Sequence, residues 1–167
     1  MILLKKHLGE HIMNILVFSD SHGYYERILK IINANKNIDM IIHCGDILSD
    51  CYNIEKLIDA NIQFHYVCGN NDINPLVPKE LSFVVDNKKI FVTHGHLFGV
   101  KSGCDTLRKK IKEGYDLVLY GHTHIPDTEY FGGGTILNPG AMCYSSKGTY
   151  AIVSIENDVI KTQIQRI

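Results

Sequence analysis

Ile15-Leu16-Val17-Phe18-Ser19-Asp20-Ser21-His22 joins an unbroken apolar run to a pair of side chains that can hold a metal. A short apolar run bounded by polar residues reads as a strand buried on both faces. The arrangement recurs: apolar runs at 40–42, 66–67, 90–92 and 117–120 precede Asp46, Asn70, His94 and the pair His122 and His124. In open α/β sheets the residues that follow the strands gather outside their carboxyl ends, where ligands bind. Five strand ends therefore bring Asp20, His22, Asp46, Asn70, His94, His122 and His124 to one place.

The count and type of these donors narrow the chemistry. Seven nitrogen and oxygen donors exceed the three protein ligands of a typical mononuclear catalytic zinc. They suit two ions sharing a bridging carboxylate at about 3.5–4 Å separation. Only Asp20 and Asp46 carry charge. Two divalent ions would leave about two surplus positive charges, or one with a bridging hydroxide, a sign suited to a phosphate group. Four imidazoles with hard oxygens point to a pair of divalent transition-metal ions, with Mn2+ first and Ni2+, Fe2+, Co2+ or Zn2+ as alternatives, rather than Ca2+ or Mg2+.

Around the donors stand short words in fixed order: Asp20-Ser21-His22, Gly45-Asp46, Gly69-Asn70-Asn71-Asp72, His94-Gly95 and Gly121-His122-Thr123-His124. Any one is common; all five in order, each at a strand end, are specific. Together they resemble the calcineurin-like metallophosphoesterase superfamily. Thr93-His94-Gly95-His96-Leu97 and Asn138-Pro139-Gly140-Ala141 make the chain similar to its small, cap-less, single-domain phosphodiesterases of the YfcE type. The resemblance implies an α/β fold, a four-layer α/β/β/α sandwich of two mixed β-sheets flanked by helices. It also implies that one metal takes Asp20, His22 and His124 and the other Asn70, His94 and His122, with Asp46 bridging. The implied reaction is hydrolysis of small organic phosphodiesters by a metal-bridging hydroxide, with in-line displacement and no covalent nucleophile. Ser19 and Ser21 then read as turn and hydrogen-bonding residues.

One position departs from the pattern. Larger members of the superfamily carry His directly after the Asn ligand, where it is thought to protonate the leaving group. This chain has Asn71, an amide that is no acid at neutral pH. A missing general acid costs about 10²–10⁴ in rate on a poor leaving group. Diesters with good leaving groups are therefore favoured over monoesters, with His96 and Asp72 as surrogate catalytic candidates. His43 and His65 lie off the motif words and are assigned to packing or hydrogen bonding. Lys101 is weighed as a phosphate contact against an exposed lysine without a role. The alternative function is a protein-interaction scaffold that keeps the fold, as the retromer subunit of the superfamily does with part of its ligand set lost. The full donor set here argues against it.

Length and composition agree. The 167 residues suit one domain with a real core, and the formal charge of −1 gives no basic surface for a nucleic-acid polymer. Arg108-Lys109-Lys110 reads as a solvated helix face. Five cysteines without a CxxC pair suit a reducing compartment, no run is long enough to span a membrane, and a cytoplasmic location is expected. Exposed strand edges leave room for a homodimer. The motif pattern makes structural sense from Met13, so residues 1–12 are expected to be a mis-started leader and 13–167 the domain. The rival reading is a genuine first half-strand.

Helices are expected over 24–35, over 53–60 with Asn53 as N-cap, and over 105–113 with Gly114 as the stop. Residues 74–78 read as a loop, and Gly132-Gly133-Gly134 as a turn into a strand over 135–137. A closing hairpin is expected over 149–155 and 159–164, turning at Asn157-Asp158. Early alternation of strands and helices followed by a late run of strands suggests two sheets packed face to face.

Overall fold

A computed structural model describes residues 2–3, 12–74, 76–143 and 147–167. Its strands are β1 (Ile2–Leu3), β2 (Met13–Phe18), β3 (Met40–His43), β4 (Gln63–Tyr66), β5 (Glu80–Val85) and β6 (Lys88–Thr93). Beyond these come β7 (Leu117–Leu119), β8 (Asp127–Phe131), β9 (Gly134–Asn138), β10 (Thr149–Glu156) and β11 (Val159–Arg166). The helices are α1 (Tyr25–Ala34), α2 (Leu48–Glu55) and α3 (Asp105–Lys112). They form a five-stranded sheet of order β11-β10-β2-β3-β4 and a six-stranded sheet of order β1-β5-β6-β7-β9-β8. Both are mixed: β2, β3 and β4 are parallel, as are β6, β7 and β9, with antiparallel strands toward the edges.

The apolar run at β2 explains the layering. Side chains alternate across a strand. Ile15 and Val17 enter one cluster with Met40, Ile42, Val92, Leu117 and Leu119, the core between the sheets. Leu16 and Phe18 face the other way, onto Ile28 and Ile32 of α1 and Ile54 of α2. In the six-stranded sheet, Phe91, Val118 and Ile136 turn outward onto Leu107 and Ile111 of α3. Both faces of both sheets are covered, which makes the expected α/β/β/α sandwich. Each buried Ile, Leu or Phe contributes about 1.5–3 kcal/mol.

Three expectations about elements are corrected. The second helix lies at Leu48–Glu55 and not over 53–60, so Asn53 is near its end and caps nothing. Its first N–H, on Leu48, is satisfied from far away by the Asp72 carboxylate at 2.8 Å. Two strands went unforeseen. β5 pairs with β6 across Asp86-Asn87, whose φ values of 45° and 64° make a two-residue hairpin turn. β8 is a half-exposed edge strand returning to β9 through Gly132 and Gly133. The closing hairpin runs as expected through Asn157-Asp158, φ 49° and 63°. Of the expected leader, residues 1 and 4–11 lie outside the described residues; Ile2–Leu3 pairs parallel with Phe83–Val84 at the sheet edge.

Candidate metal centre

The parallel strands of both sheets end on the same side, and each releases its candidate ligands into a sharp turn. β2 is followed by Asp20 and His22, β3 by Asp46, β4 by Asn70, β6 by His94 and β7 by His122 and His124. Five of these seven sit in left-handed backbone: Asp20 at φ 52°, His22 at 42°, Asp46 at 51°, His122 at 69° and His124 at 60°. Such a conformation costs about 1–3 kcal/mol and persists only where the surroundings impose it. Here the loops hold one another: Asp20 N–H donates to the Gly45 carbonyl at 2.9 Å, Ser21 N–H to that of Asp46 at 2.7 Å, and Gly121 N–H to that of His94 at 3.1 Å. The close approach needs glycine. A Cβ at 69 would lie 1.7 Å from Asp46 Oδ1, and one at 121 would lie 1.9 Å from Ser19 Oγ.

Two compact donor groups result, Asp20 with His22 and His124, and Asp20 with Asp46 and His94. Within each, the donor atoms lie within 4.8 Å of one another. Asp20 is fully buried. Its Oδ2 accepts from Ser19 Oγ at 2.6 Å and from His122 N–H at 3.0 Å. Its Oδ1 has no hydrogen bond, although Nε2 of His124 lies 3.0 Å away and those of His22 and His94 each 3.9 Å. Burial raises the Asp20 carboxyl to about 7, against its hydrogen bonds from Ser19 and His122. An unsatisfied buried carboxylate oxygen ringed by imidazole nitrogens is costly unless a cation occupies their midst. The donor set fits a borderline or hard divalent metal.

His94 is buried, and its Nδ1–H donates to the Cys44 carbonyl at 2.8 Å, leaving Nε2 as the donor atom. That Nε2 lies 3.1 Å from Asn70 Oδ1 and 3.6 Å from Asp46 Oδ2. Burial pushes the His94 imidazolium down to about 4, so the ring is neutral over the physiological range. His122 stacks edge-on to His94 at 5.1 Å between rings but belongs to neither compact group. Asp20 is common to both groups, and Asp46, the expected bridge, lies in the second. Six of the seven candidate donors lie within 4.8 Å of another donor, Asn70 through His94, and the His122 ring lies beside them.

Asp72, expected as a surrogate acid, is engaged by the backbone. Its carboxylate accepts from the backbone N–H groups of Asp46 (3.1 Å), Gly69 (2.8 Å) and Leu48 (2.8 Å). It braces two ligand-bearing loops and caps α2. Asn71 donates to the Asp46 carboxylate from its backbone N–H at 3.0 Å and from its side chain. His96 lies beside the centre, its ring 5.5 Å from His94 and 6.1 Å from His122, with Nδ1 buried and without a hydrogen bond. Burial lowers its pKa, with Lys79 adding to the effect. Lys101 likewise depresses His122 and His124 behind the dominant effect of burial. His43 accepts from Gly45 N–H at 3.2 Å, and His65 stacks on Phe83 at 5.1 Å. All five cysteines are free.

Sequence reasoning passed over two supports. The Cys44 carbonyl sets the His94 tautomer, and nothing in a cysteine signals that. Asn138, buried at the end of β9, donates to the Gly121 carbonyl and to Thr123 Oγ1, each at 3.0 Å, and so clamps the turn that carries His122 and His124. Its signal was a polar side chain ending an apolar strand.

An α/β/β/α sandwich with carboxylates and imidazoles gathered at its strand ends defines a divalent-metal-binding class of protein. Residues 13–158 match the calcineurin-like phosphoesterase superfamily domain, and the chain belongs to that superfamily. It is 34% identical over 151 residues to a probable metallophosphoesterase of Bacillus subtilis, YsnB, covering 87% of this chain and 86% of the relative. It is 33% identical over 148 residues to a phosphodiesterase of Methanocaldococcus jannaschii, covering 78% and 85%. A Streptococcus pneumoniae structure described as a predicted phosphoesterase superposes with a TM-score of 0.74 at 27% identity over 95% of this chain and 91% of the other. Vacuolar Protein Sorting 29 of Cryptosporidium parvum shares the fold, with a TM-score of 0.73 at 16% identity over 93% and 98%. Among the described residues no helix is long and apolar enough to cross a membrane.

Proposed function

We propose that this protein is a dinuclear metal-dependent phosphodiesterase acting on small organic phosphodiesters. The observation that carries the reading is Asp20 Oδ1, buried, without a hydrogen bond, and within 3.0–3.9 Å of three imidazole nitrogens from two sheets. Asp20, His22 and His124 would hold one ion and Asn70, His94 and His122 the other, with a carboxylate of Asp46 or Asp20 shared. Bound there, two divalent cations, Mn2+ by preference, would polarise a phosphoryl group and acidify water near neutral pH.

The protein's own groups prepare that locus. The carbonyl of Cys44 orients His94, the carboxylate of Asp72 fixes the Asp46 and Gly69 backbones, and Asn138 fixes the Gly121 turn. Groups held this way need no reorganisation during reaction. Asn71 donates hydrogen bonds but no proton, so protonation of a leaving oxygen falls to water or to the adjacent imidazole of His96. Diesters with good leaving groups are favoured for the same reason.

A scaffold reading rests on the shared fold with Vacuolar Protein Sorting 29, and one experiment separates the two. Metal-stripped protein receives Mn2+, Ni2+, Zn2+ or Mg2+ and is offered bis(4-nitrophenyl) phosphate or 4-nitrophenyl phosphate. The expected result is metal-dependent hydrolysis of the diester, weak on the monoester and lost in Asp46→Asn and His94→Ala. Absence of turnover with every metal, with ions bound, would shift the reading to the scaffold.

A further inference from the structure

Exposed apolar side chains stand on the loops around the centre beside exposed polar ones such as Asn70, Asn71 and Lys101. Among the described residues ten large apolar side chains are exposed. Five stand on the ligand-bearing loops: Tyr24 two residues after His22, Ile73 and Leu76 after Asn70, Leu97 three after His94, and Ile125 directly after His124. Ile73 is 100% exposed, Leu76 89% and Ile125 67%. Scattered exposed apolar residues need no explanation, but their concentration around one polar locus does.

One stretch of this rim is concave. A cleft of about 500 Å³ opens beside the Gly121–His124 turn, lined by Val100, Tyr120, Thr123, Ile125 and Pro126, with one charge of each sign, Lys101 and Asp127. That volume suits part of a small ligand. Tyr120 is almost fully buried, its hydroxyl 3.4 Å from Cys104 Sγ, so that part of the lining is fixed. Thr123 and Ile125 flank His124 in the chain and Lys101 lines the same cleft, so a largely apolar hollow with a cation in its lining adjoins the turn that carries His122 and His124.

We infer that this cleft holds the retained arm of the substrate, and that the substrates are phosphodiesters bearing a large apolar or aromatic esterifying group. The inference rests on the phosphodiesterase reading and deepens it. Val100, Ile125 and Pro126 take the arm out of water, while Lys101 meets the single negative charge that a diester carries. An apolar hollow beside the ligand-bearing turn fits an apolar arm better than it fits a flat protein face, which would not need a cleft. A dimethyl-type diester leaves the cleft unfilled, and its transition state forfeits the corresponding stabilisation.

The test compares two diesters with the same leaving group, phenyl 4-nitrophenyl phosphate and methyl 4-nitrophenyl phosphate, on the Mn2+-loaded protein. Each kcat/KM is normalised to hydroxide-catalysed hydrolysis. The phenyl compound is expected to be preferred about tenfold or more, the scale of burying a ring-sized apolar group. Ile125→Ser, at an exposed position where folding is not at stake, is expected to remove most of that preference. Leu57→Ser, an exposed apolar position on no ligand loop, is expected to retain it. Binding is read separately by NMR: diphenyl phosphate shifts the methyl signals of Val100 and Ile125, and dimethyl phosphate does not. An active protein with equal normalised rates on both diesters overturns the inference, as does the absence of methyl shifts, which would return the rim to a protein-docking role. Loss of all turnover with the methyl shifts present would instead reject the phosphodiesterase reading and leave the cleft as a binding site.

Discussion

The five-stranded sheet contributes Asp20, His22, Asp46 and Asn70 to the centre, whereas the six-stranded sheet contributes only imidazoles, His94, His122 and His124. One side thus brings every oxygen donor and all the negative charge, and the other brings neutral nitrogen. Neither makes a site alone, because each compact donor group draws on both: Asp20 and His22 with His124, and Asp20 and Asp46 with His94. Each side has its own supports: Ser19 on Asp20 and Asp72 under the Asp46 loop in the five-stranded sheet, and in the six-stranded sheet Asn138 under the His122–His124 turn. His94 leans across the seam on the backbone carbonyl of Cys44. The centre is a seam, so its integrity reports on how the two sheets are packed, and metal binding should report on it in turn.

If the seam needs both sides, one ligand removed from either sheet should be equally damaging. Asp46→Asn and His94→Ala are each expected to lower metal-dependent diester turnover by about 10²–10³-fold or more, as for loss of a preorganised charge stabiliser. A variant from one sheet that keeps most of its activity would break the symmetry of the comparison. Gly121→Ala probes the seam sterically, since the added methyl on the six-stranded side would overlap Ser19 Oγ and lie 2.8 Å from Asp20 Oδ2 on the other. Overpacking of this kind costs about 1–3 kcal/mol, measurable by urea unfolding, and should weaken metal binding with it. Gly114→Ala, in open space with φ 93°, separates backbone strain from overlap, for it should destabilise without touching metal affinity.

Asp72→Ala sharpens the oxygen side. Three backbone N–H groups lose their acceptor, and metal affinity is expected to fall about 10–100-fold, the usual range for residues that orient ligands. A change confined to the acidic or basic limb of the pH–rate profile, with affinity intact, would restore Asp72 as an acid. The smallest effect distinguishes the charges of the two sides. Burial raises Asp20 to about 7 and holds His94 at about 4, so in metal-free protein near pH 6 the proton that competes with metal sits on the carboxylate. Metal affinity should be flat above about pH 7 and fall about tenfold per unit below it, one proton being displaced on binding. Titration calorimetry at pH 5.5, 6.5 and 7.5 reads the slope directly. An affinity independent of pH across that window would contradict the buried carboxylate as the competing group.

How much of this was legible follows from how local each signal is. Ile15 to Phe18 is apolar at every position because both faces of β2 are covered, and the candidate donors follow such runs within a few residues, so the chain order with the motif resemblance made the fold and the candidate ligands legible. The α2 start was not legible because its cap is not local: the Leu48 N–H is satisfied by Asp72, 24 residues on. The Asp72 brace was missed for the same reason. β8 was missed because it is partly exposed and carries Asp, Thr and Glu, and β5 because its first half is partly exposed and interrupted by Glu80 and Ser82. The Asp86-Asn87 turn between β5 and β6 was the cue that marked the first of them. The apolar rim was invisible in sequence because Tyr24, Ile73, Leu76, Leu97 and Ile125 are isolated residues that only the converging loops bring together.

The claim on which the rest depends is that donors from both sheets close on a pair of ions. It is tested most directly by counting Mn2+ bound per chain at saturation, by elemental analysis of metal-stripped protein refilled and freed of excess metal. The account predicts two ions per chain, and fewer in both His22→Ala, from the five-stranded sheet, and His94→Ala, from the six-stranded sheet. A single ion unaffected by one of these substitutions, or none, would contradict it.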